Sequence, residues 1–147
     1  MADTASNQLR VRLVTPERTL FESEATAVEL PSKSGYMEAL YGHAPLMAEL
    51  GAGDVRVHTG PGLESTSPDT TRYNVSWGFV EVLPERVTIL AETALHPEEI
   101  DKAEAQAELQ AGEKMWHEAG DDGEKYDAAN AQMRQAEEKI ASSEGRV

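Results

Sequence analysis

Along the first two thirds of the chain, apolar and polar residues alternate in short runs. Leu9, Val11 and Leu13 alternate with Arg10 and Arg12, and Pro16 ends the run. A period of two marks a strand with one buried face. Ala25–Leu30 is a second run, stopped by Pro31-Ser32-Lys33-Ser34-Gly35. Further runs cover Tyr36–Leu40, Leu46–Leu50, Asp54–His58, Arg72–Ser76, Phe79–Leu83 and Val87–Glu92. Turn chemistry at Gly42, Pro45, Gly51-Ala52-Gly53, Gly60-Pro61-Gly62 and Pro84-Glu85 separates them. With no helix-length segment between strands, this spacing predicts an antiparallel all-β sandwich or barrel rather than βαβ units. The longest connection, Thr59–Thr70, is polar and expected to be mobile.

Near Thr93 the period changes. Pro97 suits a first helical position, and Glu98, Glu99 and Asp101 complement the dipole at a helix start. Ile100, Ala103, Ala107, Ala111 and Met115 then fall on one helical face, with Ala105, Leu109 and Trp116 nearly opposite. Gly120-Asp121-Asp122-Gly123 breaks this helix. A second follows with Tyr126, Ala129, Met133, Ala136 and Ile140 in a stripe. Two such helices predict an antiparallel hairpin with a close but small seam, because alanine buries little area. The fold expected is therefore β followed by α, with a β-sandwich domain over 1–93 and a helical hairpin over 94–147.

Composition supports the division. All 7 prolines lie at or before Pro97, and residues 94–147 hold 11 alanines. Residues 1–93 carry 7 basic and 13 acidic side chains; residues 94–147 carry 6 and 14. The whole chain has 147 residues and a formal net charge of −14. So acidic a chain is repelled by phosphate backbones and anionic headgroups, which argues against nucleic-acid binding or direct adsorption to membranes. There is no cysteine, so disulfides, thiolate zinc sites and thiol catalysis are excluded. Met1–Gln8 is polar with no apolar run behind it, which argues against a secretory leader, and no stretch has the length of a membrane span. A soluble, cytoplasmic chain is expected.

Candidate chemistry is sparse. His43, His58, His96 and His117 show no metal-ligand spacing and read as a turn residue, a strand residue and two helix-surface residues, with His96 able to cap the helix start. No nucleophile elbow or phosphate-cradling glycine loop is present, and Ser65, Ser67 and Asp69 are better explained by turn propensity. Glu98, Glu99, Asp101, Glu104 and Glu108 read as a solvated helix face rather than acid–base pairs. No catalytic residue, metal site or cofactor is expected. Trp77-Gly78-Phe79 is unusual: the glycine suggests a bulge or a close backbone approach, and the two aromatics are as consistent with core packing as with a contact surface.

Three segments, in order, carry a resemblance. Leu9-Arg-Val-Arg-Leu-Val-Thr-Pro16 with Leu20-Phe21, then Gly42-His-Ala-Pro-Leu46, then Gly78-Phe-Val-Glu-Val82 with Val87–Ala94 resemble the epsilon subunit of F-type ATP synthases. The resemblance implies a β-sandwich followed by a helical hairpin, at the foot of the rotor stalk, on the cytoplasmic face of the membrane. It implies binding to the gamma subunit and the c-ring, coupling of proton-driven rotation to ATP synthesis, and restraint of hydrolysis by the hairpin reaching the alpha and beta subunits. By position, Gly42, His43, Ala44 and Pro45 would face gamma. Ser32, Lys33, Ser34, Gly35, Tyr36 and Glu38 would face the c-ring.

The chain departs from the family pattern at Tyr41, where proline is usual, and at Glu38, where glycine is usual. Tyr36 stands where relatives often have a polar or acidic residue, which implies a less electrostatic c-ring contact. Some bacterial relatives bind ATP through Ile/Leu-Asp-x-x-Arg-Ala. Here Ile100, Asp101 and Ala105 match, but Glu104 stands at the arginine position, and a carboxylate repels a triphosphate. Weak or absent ATP binding is therefore expected. Lys125, Arg134 and Lys139 are outnumbered by Glu124, Asp127, Glu137 and Glu138, which predicts feeble charge-driven inhibition. The alternative is a free-standing β-sandwich ligand-binding module with a regulatory hairpin. A small sandwich hydrolase would need a nucleophile and base that the sequence does not supply.

Overall fold

The computed structural model describes residues 7–60 and 69–145. Ser65, Ser67, Pro61, Gly62 and most of the connection 59–70 lie outside the described residues, as do the first six residues. The chain divides into two compact units, one ending at Ala94 and one beginning at Leu95.

The first unit has seven strands: β1 Leu9–Val14, β2 Thr19–Ala25, β3 Ala27–Ser32, β4 Gly35–Leu40, β5 Leu46–His58, β6 Thr70–Val82 and β7 Arg86–Leu95. Their lateral order is β2-β1-β7-β6-β5-β3-β4. The pairs β1·β2, β3·β4, β3·β5 and β5·β6 are antiparallel, and β1·β7 is parallel. Strands β1 and β3 stand four places apart, about 19 Å in a flat sheet. Yet Leu9, Val11 and Leu13 share one buried cluster with Val28, Leu30 and Val55. The sheet therefore folds over on itself into a sandwich, and the alternation in β1 is the inward face of that core.

Four expectations change at the level of elements. Gly51-Ala52-Gly53 is not a turn: β5 runs through it, buried, as one thirteen-residue strand. Its partner β6 likewise runs through Trp77-Gly78. Glycine serves here because β5 passes close to β3; a Cβ on Gly51 would lie 3.0 Å from the Ser32 carbonyl oxygen. Pro31 does not stop its run but sits inside β3. Strand β2, Thr19–Ala25, has too polar a sequence to show in the pattern, because it is an edge strand with one neighbour.

The second unit begins with a single 3₁₀ turn at Pro97–Glu99, closed by Glu99 N donating to His96 O at 2.9 Å. The chain is extended again at Ile100, so helix α1 spans Lys102–Glu118 and starts five residues later than Pro97 predicts. Asp101 decides this start, its carboxylate accepting the Glu104 N–H at 3.1 Å. Helix α2 spans Gly123–Ser143, with Asp122 accepting from Glu124 N and Lys125 N at 3.1 and 3.2 Å. Gly120, at φ 58°, turns the chain between them.

The helices are antiparallel, but α1 packs through the face carrying Ala105, Leu109, Gly112 and Ala119. The stripe Ala103, Ala107, Ala111 and Met115 faces solvent instead. Gly112 explains the choice: a Cβ there would sit 2.7 Å from Met133 Cγ, so only this face admits α2 so closely. In α2 the expected stripe does face the partner, with Ala129 and Ala136 fully buried. Trp116 meets Tyr126 edge-on at 5.4 Å, Lys139 Nζ pairs with Glu108 at 3.2 Å, and Lys102 pairs with Glu144 at 2.6 Å. Glu108 is thus a half-buried partner rather than part of a solvated acidic face.

Candidate functional site: two turns and a polar face

Two of the segments singled out as partner contacts are built turns at opposite ends of β4. At one end, Ser32 Oγ donates to Gly35 O at 2.6 Å and accepts the Ser34 N–H at 3.2 Å. Gly35, at φ 128°, completes the reversal. Lys33 is drawn back over the sandwich: its N–H donates to Glu49 O at 3.0 Å, and its ammonium pairs with Glu49 at 3.1 Å and lies 6.0 Å from the Trp77 ring. Both charged groups are more than half exposed, so this pair positions more than it stabilises.

At the other end, Gly42, at φ 87°, donates its N–H to Pro84 O at 2.7 Å, and His43 N donates to Leu40 O at 3.1 Å. His43 Nδ1 lies 2.7 Å from Ala44 O. A carbonyl only accepts, so Nδ1 carries a proton in this contact. Ala44 and Pro45 are exposed. Six residues of extended chain, about 20 Å, separate the two turns.

Exposed apolar side chains surround this second turn and run across the neighbouring strands. Leu40 and Tyr41 are nearly half exposed; Met47 is 67% and Phe79 52% exposed. The register pairs Met47 with Glu81 and Phe79 with Glu49, which puts all four on one outward face. Leu90 is also exposed, and lines a shallow hollow of about 260 Å³ with Val14, Thr15, Pro16 and Ala91. Sequence reasoning left Phe79 undecided and passed over Met47 and Leu90. Their position in the alternation, out of step with buried Val80, Val82, Ile89 and Ala91, was the available signal. The glycine between the aromatics does mark a close approach, since a Cβ on Gly78 would collide with the Leu90 carbonyl. Trp77 itself sits at φ 58°, a costly conformation for a bulky residue.

The other unexpected feature is a buried polar face across β4, β3, β5 and β6. Asp54 is fully buried, with Arg72 Nη2 at 2.6 Å and Asn74 Nδ2 at 3.2 Å from its oxygens. His58, also fully buried, lies with Nε2 3.1 Å from Glu29 and Nδ1 3.0 Å from Thr70 Oγ1. Hydroxyl, imidazole and carboxylate follow the order of a hydrolytic triad. The ring is sealed from solvent, however, so the trio ties β6, β5 and β3 together. Among the described residues, no three His, Asp or Glu side chains gather as a metal site.

In the hairpin, the four residues of the degenerate nucleotide motif do separate jobs. Ile100 is extended before the helix, Asp101 caps it, Glu104 is exposed and Ala105 is buried against α2. His96 does not cap α1; its N–H donates to Glu99 Oε1 at 3.2 Å in the preceding turn.

A family profile described as ATP synthase, Delta/Epsilon chain, beta-sandwich domain matches residues 8–97. A protein of Koribacter versatilis named ATP synthase epsilon chain is 40% identical over 121 residues, covering 82% of this chain and 77% of its own. The chain belongs to the ATP synthase epsilon chain family. A Brucella canis epsilon chain is 37% identical over 107 residues, 73% of this chain and 75% of its own. Among solved structures, a chain of the Euglena gracilis mitochondrial ATP synthase, imaged as OSCP/F1/c-ring, superposes with a TM-score of 0.75 at 21% identity. It covers 92% of this chain and 81% of its own. A chain from the Tetrahymena thermophila mitochondrial ATP synthase central stalk and c-ring gives 0.60 at 12% identity, covering 92% and 96%. The two structures share the epsilon chain's fold. Among the described residues, no helix is long and apolar enough to cross a membrane.

Proposed function

We propose that this epsilon chain is a non-catalytic rotor subunit at the foot of the central stalk of an F-type ATP synthase. It bridges the gamma subunit and the c-ring and couples proton-driven ring rotation to ATP synthesis. Gly42, His43, Ala44 and Pro45 face gamma; Ser32, Lys33, Ser34, Gly35, Tyr36 and Glu38 face the c-ring. The chain is held peripherally at the cytoplasmic face of the cell membrane through the complex. Its hairpin regulates hydrolysis by extending toward the alpha and beta subunits, and it takes no cofactor.

The observation that carries this reading, in a chain of this family, is the pair of built turns at opposite ends of one six-residue strand. A bridging subunit needs two contact surfaces pointing apart, with a rigid body between them. The apolar residues around the gamma-facing turn, Leu40, Tyr41, Met47 and Phe79, supply the area a stable contact requires.

The test is reconstitution of the soluble complex with the full chain or with a chain ending at Ala94, followed by measurement of ATP hydrolysis. Both are expected to join gamma, and the shorter chain to release hydrolysis by an increment insensitive to salt, carried by packing rather than by the hairpin's charge. Equal rates would remove the regulatory role from the hairpin. Failure of the full chain to join gamma would overturn the reading as a whole.

A further inference from the structure

The ladder between β3 and β5 is broken where β5 passes the first turn. Glu29 pairs with Arg56 and Ser32 with Leu50, so Leu30 and Pro31 on one strand face the five residues Gly51–Val55 on the other. Pro31 has no N–H to give, and the surplus on β5 leaves backbone groups without their regular partners. On its far side β5 stays in register with β6 through Ala52, Gly53 and Asp54. The break is therefore confined to the side toward β3 and β4.

Tyr36 spans that break. It lies on β4, opposite Pro31, and its phenol oxygen accepts the Asp54 N–H at 2.9 Å. Gly53 clears the path: a Cβ there would stand 2.5 Å from the phenol oxygen and 3.0 Å from Pro31 Cβ. The Arg56 guanidinium lies 5.8 Å from the ring centre. The same Asp54 anchors Arg72 and Asn74 of β6 through its carboxylate. One side chain thus links the residue after the turn to the buried polar face of the sandwich, across a strand that cannot make the link itself.

We infer that Tyr36 is a positioning residue that fixes the Ser32–Gly35 turn against β5, so that the turn meets its partner as part of a rigid body. The inference rests on the proposal that this turn faces the c-ring. Tyr36 acts through the turn; half of its own surface remains exposed. The exposed ring alone would suggest a contact residue, but its hydroxyl is committed inward.

Tyr36→Phe removes the hydroxyl and keeps the ring over Arg56. Because the chain contains no cysteine, Ser34→Cys places a single thiol on the turn. In the assembled complex this thiol is paired with a single cysteine on the exposed loop of the c subunit. The disulfide is expected to form with Tyr36 present and severalfold more slowly with Tyr36→Phe, at equal incorporation of the subunit. Exchange of the Asp54 amide in the same variant should quicken about fivefold or more, the scale of one lost hydrogen bond. Equal crosslinking rates with and without the hydroxyl overturn the positioning role and leave the facing of the turn intact. No crosslink in either chain, with the subunit incorporated, overturns the facing of the turn and the inference with it.

Discussion

Asp54 shows how one side chain can hold several strands. It is sealed from solvent, its carboxylate is met by Arg72 and Asn74, and its backbone N–H is received by the Tyr36 hydroxyl. Asp54→Ala would strand the Arg72 guanidinium, itself mostly buried, without its carboxylate. The expected cost is about 3 kcal/mol, read as a lower urea midpoint with an unchanged slope. A shift below a quarter of that would mean water replaces the carboxylate at Arg72. Gly78 makes a steric counterpart. Gly78→Ala must push the Leu90 carbonyl aside or part β6 from β7, and should destabilise the sandwich by roughly 2 kcal/mol or more in the same assay.

Among the elements, the strands with one clean buried face were legible: β1 alternates without exception because its inward side meets only core. Two kinds of element were not. An edge strand such as β2 pairs with β1 alone and reaches the core through Leu20, Phe21 and Ala25, which do not fall on a clean period of two. The glycines of β5 read as turns because nothing local distinguishes a reversal from a close crossing of strands. Of the candidate contact residues, the two turns were legible through their glycines and proline, whereas the polar face was not. Asp54, Arg72 and His58 look like ordinary outward positions until three strands bring them together. The α1 stripe shows the same limit: period alone offers two faces, and Gly112, which carries no hydrophobic signal, selects between them. Hence Gly112→Leu should pry the helices apart and cut the hairpin's amide protection by an order of magnitude or more, about 1–3 kcal/mol of overpacking. Met115→Lys, on the face first expected to pack, should leave protection unchanged. The reverse result would restore the abandoned face.

At the scale of the whole chain, charge governs what the hairpin can recruit. Glu104 is exposed beside an Asp101 carboxylate already committed to the α1 cap, so a triphosphate would meet one repelling group and one occupied group. Calorimetric titration of the protein with ATP is expected to show no binding below millimolar concentration, and Glu104→Arg to strengthen it at least severalfold. Sub-millimolar binding by the unaltered chain would refute this. The order of strands also bears on how the protein is made. Strand β7 lies between β1 and β6, and β1 has no other neighbour but β2. The ribosome releases β1 about 70 residues before β7 begins at Arg86. At roughly 5–20 residues per second, one backbone edge of β1 therefore waits several seconds for its ladder partner. The sheet closes only when nearly all of its strands have been synthesised, and during that interval β1 has β2 alone as its neighbour in the ladder.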